Sequence, residues 1–243
     1  MSEHELSVIM PAYNEESVIR HSIASVAETL KIDNIDYELI VVDDGSTDST
    51  RKYAMEYQND RTKIIGYAKN RGKGYALKYG FQYSDGKYVI FFDSDLNILP
   101  EEIANFLKII KSEGRDIVIG SKRLSKSVIN YPFLRRILSI VYHLYVKALF
   151  RLEIMDTQVG IKIFKREVLE QVFKKTFVKK YAFDIELLVL AQRLGYKVKE
   201  APVKINIETE SHIKVKSIAA MFIDTFAIYY RLYITRDRNK RYF

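Results

Sequence analysis

The chain reads as an α/β protein, a mainly parallel twisted sheet flanked by helices on both faces, with amphipathic helices towards its end. Three observations predict this. Near-continuous apolar runs such as Leu39-Ile40-Val41-Val42 and Val89-Ile90-Phe91-Phe92 alternate with longer stretches of helical spacing, the pattern of strands buried on both faces. A polar cluster follows each early run, where a strand would end. And Asp93-Ser94-Asp95 comes directly after Tyr88-Val89-Ile90-Phe91-Phe92. Residues i and i+2 of an extended chain point the same way, so both carboxylates can reach one hard cation.

The elements follow in order. Leu6 to Met10 is a strand that stops at Pro11. Glu15 to Leu30 places Val18, Ile19, Ile23, Val26, Ala27 and Leu30 on one helical face. Tyr37 to Val42 is a second strand. Ser46 to Thr50 offers capping hydroxyls for a helix reaching about Gln58, and Ser46 is read as its cap. Lys63 to Tyr67 is a third strand, Gly74 to Ser84 a helix, Asp85-Gly86 a turn and Tyr88 to Phe92 the fourth strand. Pro100 opens a helix at Glu101-Glu102, where its missing N–H costs nothing. Asp116 to Gly120 is a further short strand. The second half is less regular: Phe133 to Leu152 and Ser217 to Ile234 are apolar stretches broken by charges. Neither is an uninterrupted apolar run of about 20 residues, so neither is expected to span a membrane. We expect a catalytic domain over 1–216, its halves meeting near residue 120, followed by a C-terminal helix and basic tail over 217–243.

Composition excludes several chemistries. There is no Cys, which removes disulfides, thiolate metal sites and Cys nucleophiles. The four His, at 4, 21, 143 and 212, lack zinc-site spacing. The polar, acidic start Met1-Ser2-Glu3-His4-Glu5 is unlike a signal peptide, so a cytosolic protein, or one on the cytosolic face of a membrane, is expected. Residues 1–120 carry 14 Lys/Arg against 20 Asp/Glu, and residues 121–243 carry 25 against 11. The acidic half suits a cation. The basic half suits an anionic partner or is a solvated basic surface. A pI near 9.3 raises nucleic acid as a partner, but no recognition motif accompanies it and the acidic triplet would stay unexplained. A dinucleotide fold is also excluded: after Gly72 and Gly74 the third glycine position is Leu77, and no glycine follows the first strand.

Ligands of such sheets bind beyond the carboxyl ends of the strands. Those ends carry Pro11-Ala12-Tyr13-Asn14-Glu15, Asp43-Asp44-Gly45, Asn70-Arg71-Gly72 and Asp93-Ser94-Asp95. Asp93 and Asp95 offer hard oxygen ligands for Mg²⁺ or Mn²⁺ together with a diphosphate. Asp44 is suited to accept a ribose or base hydrogen bond, and Tyr13 to stack on a base.

In their order and spacing, Ser7 to Glu15, Val41-Val42-Asp43-Asp44-Gly45-Ser46, Asn70-Arg71-Gly72-Lys73-Gly74 and Phe92-Asp93-Ser94-Asp95 together resemble the inverting family-2 glycosyltransferases of GT-A fold. Gly120-Ser121-Lys122-Arg123, Asp156-Thr157-Gln158-Val159-Gly160-Ile161-Lys162 and Tyr181 to Leu188 are similar to the dolichyl-phosphate hexose synthases. The last two strings look closer to the β-glucosyltransferases than to the mannose enzymes. The resemblance, over about residues 5–235, implies a nucleotide site of Pro11, Ala12, Tyr13, Asn14, Glu15, Val42, Asp44, Arg71, Asp93 and Ser94. It implies a metal, Mg²⁺ or Mn²⁺, at Asp93 and Asp95 with Asn97 completing the shell. It puts Arg123 on the acceptor phosphate, with Arg135 or Arg136 as a second contact, and Asp184 and Glu186 towards the donor sugar. Asp95, Arg123, Asp184 and Glu186 are then the catalytic candidates. The chain departs from the family near Glu210-Ser211-His212-Ile213-Lys214, where His212 replaces a usual Lys, so His212 and Lys214 are weak candidates for the donor diphosphate.

The reaction implied is transfer of a hexose, glucose from UDP-glucose, to a dolichyl or other polyprenyl phosphate. The alternative is a mannose synthase using GDP-mannose. Phe133 to Leu152 and Ser217 to Ile234, rich in Lys/Arg and aromatics, are expected to lie on an anionic membrane surface. For the second of them, packing in the core or in a homodimer is the other use.

Overall fold

The computed structural model describes residues 3–122, 124, 133–152, 154–177, 182–204 and 215–235, with side chains of 133–139 and 215–220 left aside. Its strands are β1 (Leu6–Ala12), β2 (Tyr37–Asp43), β3 (Thr62–Gly66), β4 (Tyr88–Phe92), β5 (Ile117–Ser121), β6 (Ile161–Lys165) and β7 (Val198–Pro202). They form one sheet in the order β3-β2-β1-β4-β6-β5-β7. All neighbours are parallel except that β6 runs antiparallel to β4 and β5. The expected mainly parallel sheet is therefore present. β6 and β7 were not anticipated in the irregular second half.

The helices are α1 (Ile19–Ile32), α2 (Thr50–Met55), α3 (Lys73–Gln82), α4 (Glu102–Ser112), α5 (Phe133–Phe150), α6 (Arg166–Val172), α7 (Phe183–Arg193) and α8 (Val215–Tyr229), the last passing into a π-helix at Tyr230–Ile234. Because side chains alternate along each strand, the sheet has two cores. Ile9, Ile40, Val42, Val89 and Phe91 face α3 and α5 to α7. Val8, Met10, Leu39, Val41, Ile90 and Phe92 face α1 and α4.

Two boundaries differ from expectation, and both matter for the site. The first helix starts at Ile19, not Glu15, because Asn14 takes φ 56° and the chain reverses. The Val18 and Ile19 amides then close on the Glu15 carbonyl at 3.0 and 2.9 Å, and Glu15 stays in the loop. Ser46 does not cap α2, which begins at Thr50. Its hydroxyl instead accepts the Asn14 amide at 3.1 Å, tying the loop after β1 to the loop after β2.

Helix α8 packs on the body of the protein. Thr225 and Ile228 of α8 are wholly buried. The Thr225 hydroxyl meets that of Tyr142 on α5 at 2.8 Å. No helix among the described residues is long and apolar enough to cross a membrane.

Candidate active site

The chain leaves β1 for β2 on one side and returns to β4 on the other. Between β1 and β4 lies the switch point at which an α/β sheet opens a crevice for ligands. From β1 comes Glu15, its amide held by the Thr50 hydroxyl at 2.7 Å. From β4 come Asp93 and Asp95. A turn with Leu96 at φ 51° follows. In it the Asn97 amide donates to Asp95 Oδ1 at 3.1 Å, and the Asn97 side chain donates to Oδ2.

These carboxylates are close enough to oppose one another's ionisation. Burial, then the charges of Asp95, Asp93 and Asp48, push Glu15 up to about 7. Burial and Asp93 raise Asp95, against the opposing effects of Asn97 and Lys73. Lys73, at the start of α3, reaches Asp93 Oδ1 at 2.5 Å. Burial alone would lower its pKa, but Asp93, Asp184 and Asp95 outweigh this and hold it raised. Asp184 is held in turn by Lys162 at 3.0 Å, and Lys162 also donates to the Val159 carbonyl at 2.6 Å. Acids and lysines thus alternate from Asp93 through Lys73 and Asp184 to Lys162, a residue 2% exposed on β6 and in register with Phe91 of β4.

Two glycines bring the halves of the chain into this contact. A Cβ on Gly160 would lie 2.4 Å from Asp93 Oδ2. A Cβ on Gly74 would lie 2.4 Å from the ring of Phe183, the residue before Asp184. Strings far apart in sequence meet at one point because neither glycine carries a side chain.

The structure brings Glu15, Asp93, Asp95, Asn97 and Asp184 to this crevice. Pro11 and Ala12 end β1, and the Ala12 carbonyl accepts the Asp44 amide at 2.9 Å. Tyr13 and Asn14 are exposed at its rim. So is Arg71, whose guanidinium lies 3.7 Å over the Tyr75 ring.

Other expectations are corrected. Val42 does not line a pocket: it is wholly buried, on the β2 face that packs under α3. Ser94 is 4% exposed, and its carbonyl accepts the Ser22 hydroxyl at 2.5 Å. Asp44 has both oxygens engaged within the chain. Oδ1 accepts Tyr67 at 2.7 Å and the Arg71 amide at 2.8 Å, and Oδ2 accepts Asn70 at 3.1 Å and the Gly72 amide at 2.9 Å. It shapes the 67–72 loop and is not open to a ribose. Glu186 turns away from Asp184, since residues two apart on a helix do not share a face. It is wholly buried and bonded to the Phe177 amide and Arg231. Arg123, His212 and Lys214 lie outside the described residues. Arg135 and Arg136 are on α5, with side chains also outside them.

Lys73, Lys162 and Gly160 were not picked out as site residues. The charge of Lys73 directly after Gly72 was the available signal.

Asp93 and Asp95 are hard oxygen donors whose mutual repulsion a cation would relieve. Among the described residues the group whose ligand atoms all lie within 4.8 Å of one another is a different one, His4, Glu38 and Asp85, at the opposite, amino end of the strands. There Glu38 already holds Lys63 at 2.8 Å and the Ser7 hydroxyl at 2.6 Å, so its charge is balanced.

The family described as Glycosyl transferase family 2 matches residues 7–173. A dolichyl-phosphate beta-glucosyltransferase of Trichomonas vaginalis is 33% identical over 255 residues, covering 98% of this chain and 77% of its own. The dolichyl-phosphate beta-glucosyltransferase of Homo sapiens is 34% identical over 218 residues, covering 83% of this chain and 67% of its own. Among solved structures, glucosyl-3-phosphoglycerate synthase from Mycobacterium tuberculosis, in complex with Mn²⁺, UDP and phosphoglyceric acid, superimposes with a TM-score of 0.73 at 24% identity. The match covers 94% of this chain and 78% of that one. At that identity the likeness shows the fold, which is that of GT-A glycosyltransferases.

Proposed function

Because this chain belongs to glycosyl transferase family 2 and is a glycosyltransferase, we propose that it transfers glucose from UDP-glucose to a dolichyl or other polyprenyl phosphate, giving a β-linked lipid phosphate sugar. The relatives that span it are dolichyl-phosphate β-glucosyltransferases, and they favour glucose over the GDP-mannose alternative. The observation that carries the reading is the meeting of Asp93 with Gly160 and Lys73. It joins the acidic nucleotide half to the string that resembles the dolichyl-phosphate enzymes.

An oxygen of the acceptor phosphate attacks the anomeric carbon, and the bond to the donor diphosphate breaks on the opposite side, with inversion. A phosphate monoester has a second pKa of about 6 and is already a competent nucleophile near neutral pH. The site therefore needs no dedicated general base. The chain must instead hold two anions together. Asp93 and Asp95, with Asn97, would hold Mg²⁺ or Mn²⁺, which would neutralise charge on the leaving diphosphate. Lys73 adds a fixed positive charge beside Asp93, and Lys162 keeps Asp184 in place. Arg123 is assigned to the incoming phosphate, where a charge-assisted contact offsets repulsion from the donor.

The acceptor is a lipid, so the enzyme must reach a bilayer. Ile140, Val141 and Leu144 of α5, Ile223 and Phe226 of α8, and Tyr230 of the π-helix are each 43–68% exposed. On α5 and α8 they lie on the outer sides of helices whose inner sides are buried. Exposed apolar residues beside Lys147 and Arg151 suit an anionic interface. We assign this surface to the bilayer, with the enzyme peripheral on the cytoplasmic face. A second copy of the chain is the other occupant that a test could reveal.

The deciding experiment offers a panel of nucleotide sugars with a polyprenyl phosphate and Mg²⁺ or Mn²⁺, scored for lipid-linked product. UDP-glucose is expected to be turned over selectively. Selective use of GDP-mannose would overturn the donor, and transfer only to a glycan hydroxyl would overturn the acceptor.

A further inference from the structure

Glu186 and Arg231 lie outside the transfer chemistry, yet they join two parts of the protein that the chemistry needs. The Glu186 side chain is wholly buried in the first turn of α7. Its Oε2 accepts the Phe177 amide at 3.0 Å, and its Oε1 is bonded to the Arg231 guanidinium. That guanidinium lies 4.8 Å over the Phe177 ring. Arg231 stands in the π-helix that follows α8. Such wide turns re-aim side chains and recur at functional sites. The far end of α7 grips the same turn: Arg193 donates to the Leu232 carbonyl at 3.1 Å and covers the Tyr233 ring at 4.4 Å.

A buried ion pair is a poor source of stability, because apolar residues of similar size do as well or better. What it adds is a fixed orientation. The orientation of α7 is what the crevice depends on, since Asp184, on the opposite side of the same turn, holds Lys162 at 3.0 Å. A second contact runs in parallel. Gln158 donates to the Met221 sulfur of α8 at 2.9 Å, two residues before the Gly160 that leaves room for Asp93.

We infer that Glu186 and Arg231 are positioning residues that lock the first turn of α7 to the π-helix that follows α8, so that the Asp184–Lys162 and Lys73–Asp93 pairs are fully assembled only while α8 is seated. Arrival at a bilayer as the event that seats α8 rests on the function proposed above; the coupling itself does not.

The test is amide hydrogen exchange on the full-length protein without lipid or sugar, comparing wild type with Arg231→Leu, Arg231→Lys and Arg193→Gln. In Arg231→Leu, exchange over residues 182–188 and 156–162 is expected to quicken about tenfold, as for a segment whose local opening becomes easier, while β1 and β2 stay protected. Arg231→Lys should recover most of that protection, which mere loss of bulk would not. If Arg231→Leu does not fold, Arg193→Gln carries the test, because it cuts the same strap from an exposed position and must quicken the same two segments. Faster exchange confined to residues 229–235 would overturn the inference. Since no substrate is present, that outcome would leave the transferase reading untouched, and a wrong donor would leave the exchange result untouched.

Discussion

Gly160→Ala is the sharpest perturbation of the site, because it adds one methyl group and touches no charge. The new Cβ would stand 2.4 Å from Asp93 Oδ2 and 2.8 Å from its Cγ. Carbon contacts settle near about 3.5 Å, so the carboxylate must retreat by roughly 1 Å. It cannot do so freely, since Lys73 holds its other oxygen at 2.5 Å. A displacement of about 1 Å in a catalytic group costs about a hundredfold in rate. The same overpacking costs roughly 1–3 kcal/mol of stability. Gly160 has no positive φ, so backbone strain does not contribute. The assay is transfer rate at saturating donor and acceptor, paired with thermal unfolding. Gly195→Ala is the control: φ is +83° with nothing within 4 Å of the new Cβ, so it should lose about 1 kcal/mol of stability and no transfer. Near-normal turnover in Gly160→Ala would refute the placement of Asp93 at the reacting centre, and equal loss in Gly195→Ala would show that stability alone is being read.

Asp95→Asn should remove most transfer while the fold persists, a loss of at least about 3 kcal/mol of transition-state stabilisation; full activity in EDTA, or in this variant, would sink the metal role. Glu15 gives a pH test. Its folded value of about 7 lies above the ordinary 4.5, so the metal-free protein loses stability as pH rises between these values and is unpenalised below 4.5. Glu15→Gln should therefore raise Tm at about pH 8, with the gain fading towards pH 4.5, and a gain equal at both ends would contradict a Glu15 carboxyl raised by burial and its acidic neighbours. Arg123→Ala should raise the acceptor KM and leave UDP affinity alone, because it removes a phosphate contact; damage to nucleotide binding alone would reverse the assignment. Liposome sedimentation should show salt-sensitive binding that needs anionic lipid, and removal of 236–243, with Arg236, Arg238, Lys240 and Arg241, should weaken it by about 1 kcal/mol per charge at most. Binding indifferent to lipid charge, or a dimer that hides α8, would exclude the bilayer as occupant.

Local chemistry alone determined the frame of this protein. Apolar runs at β1, β2 and β4 can be buried on both faces only in a sheet covered by helices, and the acids that follow them must then sit together at one edge. Asp93 and Asp95 were legible because they directly follow a buried strand, but β4 ends at Phe92 and the turn after it, not strand alternation, aims them. Val42 packs into the core because alternation along β2 sends neighbours to opposite faces, and Ser94 is turned inward by the turn after β4. β6 escaped notice because an antiparallel strand of five residues carries little periodicity among charges. The roles of Asp44, Lys73, Lys162 and Glu186 depended on partners 20 to 45 residues away, or on α7 turning two carboxylates to opposite sides. The tertiary structure alone decided those pairings, because which cation a carboxylate meets depends on how helices and strands pack, a relation that spacing along the chain does not encode.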